Sequence, residues 1–228
     1  MNDPIKGPVR RAQAYWYVDG LMELGSGILF ILLGIVLWVE GAAPNGSTFA
    51  GIMSTIRQIL LIGGTIGMGL MVRVIKTRLT YPRTGYIAYP QPRGTQWIRV
   101  LAVGIGITAL AGFTAVLIFW WVPALQGVLI YLPSWLVVGL GIFIGGMFLS
   151  WALRTGLQRF YGLAILALLT GIILAWCSRG LNIVEGRKYL LISPGIFFTV
   201  LGLGLSVAGG TTLRNYLRKT RPLDGETK

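Results

Sequence analysis

The chain has 228 residues, of which 54% are hydrophobic and only 12% are charged, and its mean hydropathy is +0.72. A soluble domain carries about 25% charged residues, so this composition excludes an ordinary soluble globular protein and indicates a membrane protein. The net charge of +13 fits either nucleic acid or anionic lipid as a partner, and the position of the charges along the chain distinguishes the two.

Six apolar stretches follow one another along the chain, each close to the ~20 residues that a helix needs to cross a bilayer. We predict spans at about residues 20–39, 50–72, 98–122, 134–153, 160–177 and 194–213. All eight tryptophans fall at a predicted span end, where aromatic side chains meet the headgroup layer. The sequence therefore predicts an all-α, polytopic integral membrane protein that forms a single transmembrane domain over residues 1–228.

Lysine and arginine are concentrated on one side of these six spans. Sixteen of the 20 fall in the N-terminal segment, around the loop 73–97, between spans four and five, and in the tail 214–228. The positive-inside rule then places both termini in the cytoplasm. We expect anionic lipid headgroups to contact this surface. Nucleic acid is not expected as a partner, because no soluble module is present to carry a readout element.

Glycine makes up 33 of the 228 residues, about twice the ~7% average. In a bilayer, glycine lets helix backbones approach closely. Gly63 with Gly67, and Gly141 with Gly145, have the four-residue spacing of such contacts. We therefore expect closely packed helices.

Spans four and six are similar in sequence. Each is expected to place a proline, Pro133 or Pro194, in its first helical turn, and each carries a Gly-Leu-Gly triplet, at 139–141 and 202–204. Together with the basic ends of spans two, four and six, this similarity predicts three repeated helical hairpins. The alternative is chance similarity between apolar sequences.

Few charged side chains lie within or beside the spans. Asp19 and Glu23 share one face at the cytoplasmic end of span one, whereas Glu40 lies at its outer end, near the level of Arg57 in span two. One interpretation is ion pairing of Glu40 with Arg57, and of Asp19 or Glu23 with a basic residue at the cytoplasmic side: Arg73, Arg99 or Arg159. The other is that Asp19 and Glu23 form a site where a cation or proton enters.

No catalytic constellation is visible in the sequence. The chain has no histidine, and Cys177 is its only cysteine, so we expect no metal site and no cofactor. Paired carboxylates can act as general acid and base, but no nucleophile accompanies Asp19 and Glu23. The protein is therefore not expected to be an enzyme.

The stretch "RLTYPRTGYIAYPQPRG" begins at Arg78. Pro82 and Gly85 predict a tight turn flanked by Tyr81 and Tyr86. The two tyrosine rings would lie at the membrane interface. Arg78 and Arg83 would then reach lipid phosphates or the nearby carboxylates. One hypothesis is an ordered platform that a protein partner binds, and the alternative is an interfacial linker without a partner.

Four aromatic and basic motifs support a resemblance: "YWYVDGL" from Tyr15, "RLTYPRTGY" from Arg78, "RFYGLA" from Arg159 and "TLRNYLRK" from Thr212. Together they resemble a group of uncharacterised bacterial multi-pass membrane proteins with a TYPRTGY-type cytoplasmic loop motif. The resemblance implies a bacterial plasma membrane and supplies no catalytic residues.

Two functions fit these expectations. The first is a non-enzymatic scaffold, regulator or complex subunit that acts through its basic cytoplasmic loop and tail. The second is a small-solute transporter or channel with Asp19 and Glu23 at the cytoplasmic end of its pathway.

Overall fold

A computed structural model describes residues 17–44, 46–80, 132–178 and 183–220. These residues form helices and short connections and contain no strand, which confirms the all-α prediction for the described part of the chain. The helices are α1 (Leu21–Ala42), α2 (Thr48–Ile59), α3 (Thr65–Ile75), α4 (Leu132–Thr155), α5 (Gln158–Cys177) and α6 (Ile183–Lys219). A π-helical segment, Leu60–Gly64, joins α2 to α3, and another, Lys76–Thr80, follows α3. We call the continuous helix from α2 to the second π-helical segment the rod.

Five of these helical segments are long and apolar enough to cross a membrane: α1, the rod, α4, α5 and α6. They indicate a membrane-embedded protein. Predicted span 98–122 lies outside the described residues. The helices extend beyond the apolar stretches at several ends, so residues 73–80 and 214–219, which the sequence analysis assigned to the cytoplasmic loop and tail, are helical.

Helix α1 packs antiparallel to α6 along a row of glycines. On α1 the row is Gly20, Gly27, Gly34 and Gly41, and on α6 it is Gly195, Gly202 and Gly209, so both rows repeat every seven residues. A Cβ atom added at Gly202 would lie 2.7 Å from the carbonyl oxygen of Gly27, and one at Gly195 would lie 2.9 Å from that of Gly34. The two backbones are therefore in direct contact. A seven-residue period is typical of a seam between two helices that wind around each other in a left-handed supercoil. We call it the glycine seam.

A second face of α1 packs on the rod. A Cβ at Gly25 would lie 3.1 Å from side-chain carbons of both Met68 and Val72, and one at Gly64 would contact Leu29 at 2.6 Å. The expected packing at Gly63 and Gly67 is not found among the described residues, since a Cβ at Gly67 would contact nothing within 4 Å. The rod packs through Gly64 instead, because the neighbouring residues of a helix point to different sides.

Helices α4 and α5 form an antiparallel hairpin whose backbones also approach closely. A Cβ at Gly141 would lie 3.0 Å from the carbonyl oxygen of Ala167, and one at Gly145 would lie 3.2 Å from that of Ala164, as the spacing of these two glycines predicts. Buried aliphatic and aromatic side chains of α4, α5 and α6 complete one core: Val137, Ile144, Phe148, Ala152, Phe160, Leu163, Ala164, Ala167, Phe197, Leu201 and Leu205.

The expectation that Pro194 opens span six is wrong. Pro133 is the second residue of α4, but Pro194 lies inside α6, which begins at Ile183. A proline inside a helix removes one backbone hydrogen bond and costs about 3 kcal/mol in an isolated helix. In membrane helices, packing against neighbours compensates, and here Gly195 lies against the backbone of Gly34 and Trp38. Spans four and six therefore begin differently.

The glycine seam can be tested with two identical substitutions on one helix. We expect Gly202→Ala to lower the unfolding free energy by about 1–3 kcal/mol, because its methyl group would force the α1 and α6 backbones apart. Gly210→Ala is the matched control, since a Cβ there meets nothing within 4 Å among the described residues. Thermal unfolding in detergent measures both. Equal melting temperatures for the two variants would contradict close backbone packing at the seam.

Candidate functional site: a buried charged cluster

Four charged side chains from different parts of the chain meet at one end of the helix bundle. They are Asp19 and Glu23 near the start of α1, Lys76 after α3, and Arg159 near the start of α5. Asp19, Glu23 and Lys76 are each no more than 3% exposed. We call these four residues the charged cluster, and the end of the bundle that holds them the charged end.

Local sequence explains how Asp19 is held in place. Gly20 adopts a left-handed conformation with φ of 69°, which glycine tolerates without steric cost. The turn brings Oδ1 of Asp19 to 3.2 Å from the backbone N–H of Leu21, which donates to it. An acidic side chain that accepts a hydrogen bond from the first turn of a helix stabilises the start of that helix. Asp19 thus stabilises the start of α1 through a local contact, in addition to its tertiary one.

The second carboxylate oxygen of Asp19 connects α1 to the rod. Oδ2 lies 3.3 Å from Nζ of Lys76, and both side chains are buried. Lys76 follows the C-terminus of α3, where a positive charge is also favourable to the helix dipole. A buried pair of this kind is costly to break, because the remaining charge would stay in a region of low dielectric constant.

Arg159 contacts three other segments at once. Its Nη2 lies 2.7 Å from Oε1 of Glu23 and also donates to the backbone carbonyl of Tyr17. Its Nη1 donates to Oγ1 of Thr212 on α6 at 2.7 Å. The guanidinium group suits this role because its N–H donors lie in one plane and point in different directions. Arg159 therefore joins α5 to α1, to the segment before α1, and to α6.

Part of the hydrogen-bonding capacity of the cluster is unused. Neither carboxylate oxygen of Glu23 makes a well-aligned hydrogen bond among the described residues, and Nε of Arg159 also has no partner there. The short contact between Glu23 and Arg159 is therefore mainly electrostatic. Such an attraction is strong when water is excluded, and Arg159 is held in position for it by its hydrogen bonds to Tyr17 and Thr212.

Aromatic rings shield the cluster from one side. Tyr17 packs edge-on against Phe160 at a centroid distance of 5.4 Å and lies 5.9 Å from Trp151, while Phe148 stacks on Phe160 at 6.3 Å. Burial raises the pKa of the Tyr17 hydroxyl, and the negative charge of Glu23 raises it further. The phenol therefore stays neutral at physiological pH and adds no charge to the cluster.

An ion pair between described residues lies at the opposite end of α1. Nη1 of Arg57 is 3.2 Å from Oε1 of Glu40, with the side chains 25% and 10% exposed. Nη2 of Arg57 also donates to Oγ of Ser54 at 3.3 Å. The sequence analysis proposed this pairing, and the structure places the two side chains together.

The partners expected for the two acids were Arg73, Arg99 or Arg159, and the structure brings Arg159 to Glu23. Asp19 pairs instead with Lys76, which lies three residues after Arg73 and was not among the expected partners. Arg78 is exposed at the end of the rod, and Tyr81, Arg83 and Tyr86 lie outside the described residues.

The charges of the cluster balance, since two carboxylates face one ammonium and one guanidinium group. A site that attracts a cation needs an excess of negative charge, and here Lys76 and Arg159 already occupy the positions next to Asp19 and Glu23. The arrangement is suited to holding four segments of the chain in one relative position. It offers no pair of groups in which one activates the other as a nucleophile.

Comparisons with family models, with curated proteins and with solved structures found no match for this chain. The resemblance based on the TYPRTGY-type motif therefore stays a prediction.

Removing one charge from the cluster should be more harmful than removing both members of a pair. We expect Arg159→Gln to destabilise the protein by about 3–5 kcal/mol, because Glu23 would keep a buried, uncompensated charge. The double variant with Glu23→Gln should recover part of this loss, and the unfolding free energy in detergent measures it.

Arg154→Gln is the control for this experiment, because Arg154 is exposed at the end of α4 and should change stability by no more than about 0.5 kcal/mol. If the double variant loses as much unfolding free energy as Arg159→Gln and Glu23→Gln lose together, the two side chains do not stabilise each other and the ion pair is contradicted.

The Glu40–Arg57 pair should show smaller coupling, because Arg57 is one-quarter exposed. We expect Glu40→Gln and Arg57→Gln each to lower stability, and the double variant to lose less than the sum, with a coupling energy of about 0.5–1 kcal/mol. A double-mutant cycle measured by thermal unfolding gives this value. Zero coupling would contradict the pairing.

Proposed function

We propose that this protein is a non-enzymatic, multi-pass membrane protein that acts as a scaffold, regulator or complex subunit through its basic cytoplasmic loop and tail. The observation that carries the proposal is the charged cluster, in which every buried charge faces an opposite charge of the same chain. Such a cluster fixes the relative position of the segments that lead into the loop and the tail. The proposed setting is a bacterial plasma membrane.

The glycine seam supports the same proposal. A transporter pathway needs space for a solute near the middle of the membrane, usually beside broken helices. Between α1 and α6 the backbones are instead in contact at the level of Gly27, Gly34 and Gly202. A tightly packed pair of central helices favours a protein that presents surfaces over one that moves a solute between these two helices.

The directions of the helices support six spans with both termini on the cytoplasmic side. Lys76 brings the end of the rod to the charged end. Trp151, near the end of α4, contacts Tyr17 there, so α4 begins at the opposite end. The sequence interval 80–132 therefore starts at the charged end and finishes at the opposite end. Residues 98–122 form the one apolar stretch of spanning length in that interval.

One observation favours the second candidate function, a small-solute transporter or channel. The rod is interrupted near its middle by the π-helical segment Leu60–Gly64, and π-bulges in α-helices are frequent at functional sites. In that function, Asp19 and Glu23 would lie at the cytoplasmic end of the pathway, and Lys76 and Arg159 would have to release them during each cycle.

Cysteine accessibility in a Cys177→Ser background tests the proposal. We expect a cysteine at Thr84 to react only with reagent in the cytoplasm, and one at Ser47 only with external reagent, because the two lie on opposite sides in the six-span arrangement. A cysteine at Ser206, whose hydroxyl is buried beside the seam, should react with water-soluble maleimide from neither side.

Labelling after denaturation in detergent is the control for the presence of each thiol. Reaction of the Ser206→Cys variant in intact membranes would favour the transporter. Reaction of the Thr84 and Ser47 variants from the same side would overturn the orientation.

A further inference from the structure

The C-terminal part of α6 continues past the start of α1 at the charged end. Gly209 is level with Gly20 at the start of α1, because a Cβ at Gly209 would lie 2.7 Å from the Gly20 carbonyl oxygen. Helix α6 continues for ten more residues to Lys219, which is about 15 Å at 1.5 Å per residue. We call residues 211–219 the α6 extension.

The extension has two different faces. Tyr216 is buried, and Thr212, Leu213 and Leu217 are partly buried. The opposite face is exposed and carries four polar side chains, three of them long and positively charged: Arg214, Asn215, Arg218 and Lys219. We call it the basic face.

The charges of the basic face are not neutralised by the described part of the chain. Asp19 and Glu23 are the acids near this end that the structure describes, and both are buried against Lys76 and Arg159. The sequence after the helix, residues 221–228, contains two acids and two bases, so it adds no net charge.

The height of Arg214 is close to that of the lipid headgroup layer. Helix α1 has 22 residues, a length of about 33 Å, close to the ~30 Å hydrocarbon core, beyond which each headgroup layer adds about 5–7 Å. Arg214 lies five residues past Gly209, or about 7.5 Å above the start of α1. The backbones of Arg218 and Lys219 lie one turn further out, at about 13.5–15 Å, so their long side chains reach phosphates by extending back toward the bilayer.

We propose that the basic face of α6 binds the headgroups of anionic phospholipids in the cytoplasmic leaflet. The inference rests on the proposed orientation of the protein and deepens it by assigning the lipid contact to particular residues. Guanidinium groups donate two parallel hydrogen bonds to phosphate oxygens, and the Asn215 amide adds a neutral donor between Arg214 and Arg218. Arg159 fixes the base of the extension through Thr212, so the donors are presented from a rigid helix.

Native mass spectrometry of the full chain in neutral detergent can test this assignment with phosphatidylglycerol and phosphatidylcholine. We expect the wild type to bind the anionic lipid more tightly than the zwitterionic one. The triple variant Arg214→Gln, Arg218→Gln, Lys219→Gln should lose about tenfold or more of its affinity for phosphatidylglycerol, because a single basic side chain near an anionic surface changes association about fivefold. Circular dichroism checks that the variant keeps its helices.

Lys188→Gln is the matched control, because Lys188 is an exposed lysine of the same helix at its other end, and it should bind phosphatidylglycerol like the wild type. Added glycerol phosphate should not displace phosphatidylglycerol if the surface binds the whole lipid, and displacement would mean that it binds a free phosphate ester instead. Equal binding of both lipids by the wild type, or undiminished phosphatidylglycerol binding by the triple variant, would overturn the assignment, and an acidic protein segment would then fit the basic face better.

The lipid measurement is independent of membrane orientation, because it is made in detergent. If cysteine labelling places Thr84 outside while the triple variant still loses lipid affinity, the lipid surface stands and the proposed function fails. If Thr84 is cytoplasmic and the triple variant keeps its lipid affinity, the proposed orientation stands and the lipid surface fails.

Discussion

Direct backbone contact between α1 and α6 is the constraint on which the rest of the bundle depends. Within a bilayer, apolar side chains gain little by leaving lipid for protein, so helix association relies on close van der Waals packing. Glycines at 20, 27, 34 and 41 on one helix and at 195, 202 and 209 on the other allow that packing along the whole seam. Every other described helix packs against this pair, with the rod on α1 and the α4–α5 hairpin mainly on α6.

A glycine seam by itself does not define which residues lie opposite one another. Because both rows repeat every seven residues, sliding α6 by seven residues, or about 10 Å, would again place glycines opposite glycines. The hydrogen bond from Arg159 to Thr212 removes this ambiguity, since only the observed register brings Thr212 within 2.7 Å of Arg159 while Arg159 also contacts Glu23. Buried polar groups that select one register among several are known from coiled coils.

Much of this arrangement could be predicted from the sequence, and the failures have physical causes. Apolar stretches and tryptophans locate the spans, and the positions of Glu40 and Arg57 suggest their pairing. The seven-residue glycine rows are also visible in the sequence, but close packing was expected only at glycines with four-residue spacing. The partner of Asp19 was not visible, because Lys76 follows the apolar stretch and only the continuation of the rod beyond it carries the side chain back to α1. The position of Pro194 inside α6 was not predicted, because polar residues before it do not continue the apolar stretch toward the start of the helix.

The charged cluster also affects how the two candidate functions compare. Moving four charges out of water carries a large desolvation cost, so buried ion pairs often add little net stability. Their presence at one end of a membrane bundle is better explained by specificity, because a shift of the rod or of α5 along α1 would leave a charge without its partner in a medium of low dielectric constant. The same argument makes repeated opening of the cluster costly, since each separated pair would lose several kcal/mol unless water entered. A protein that must release Asp19 and Glu23 in every transport cycle would need a compensating group nearby. A protein that holds α1, α5, α6 and the rod in one fixed position needs only the contacts already present.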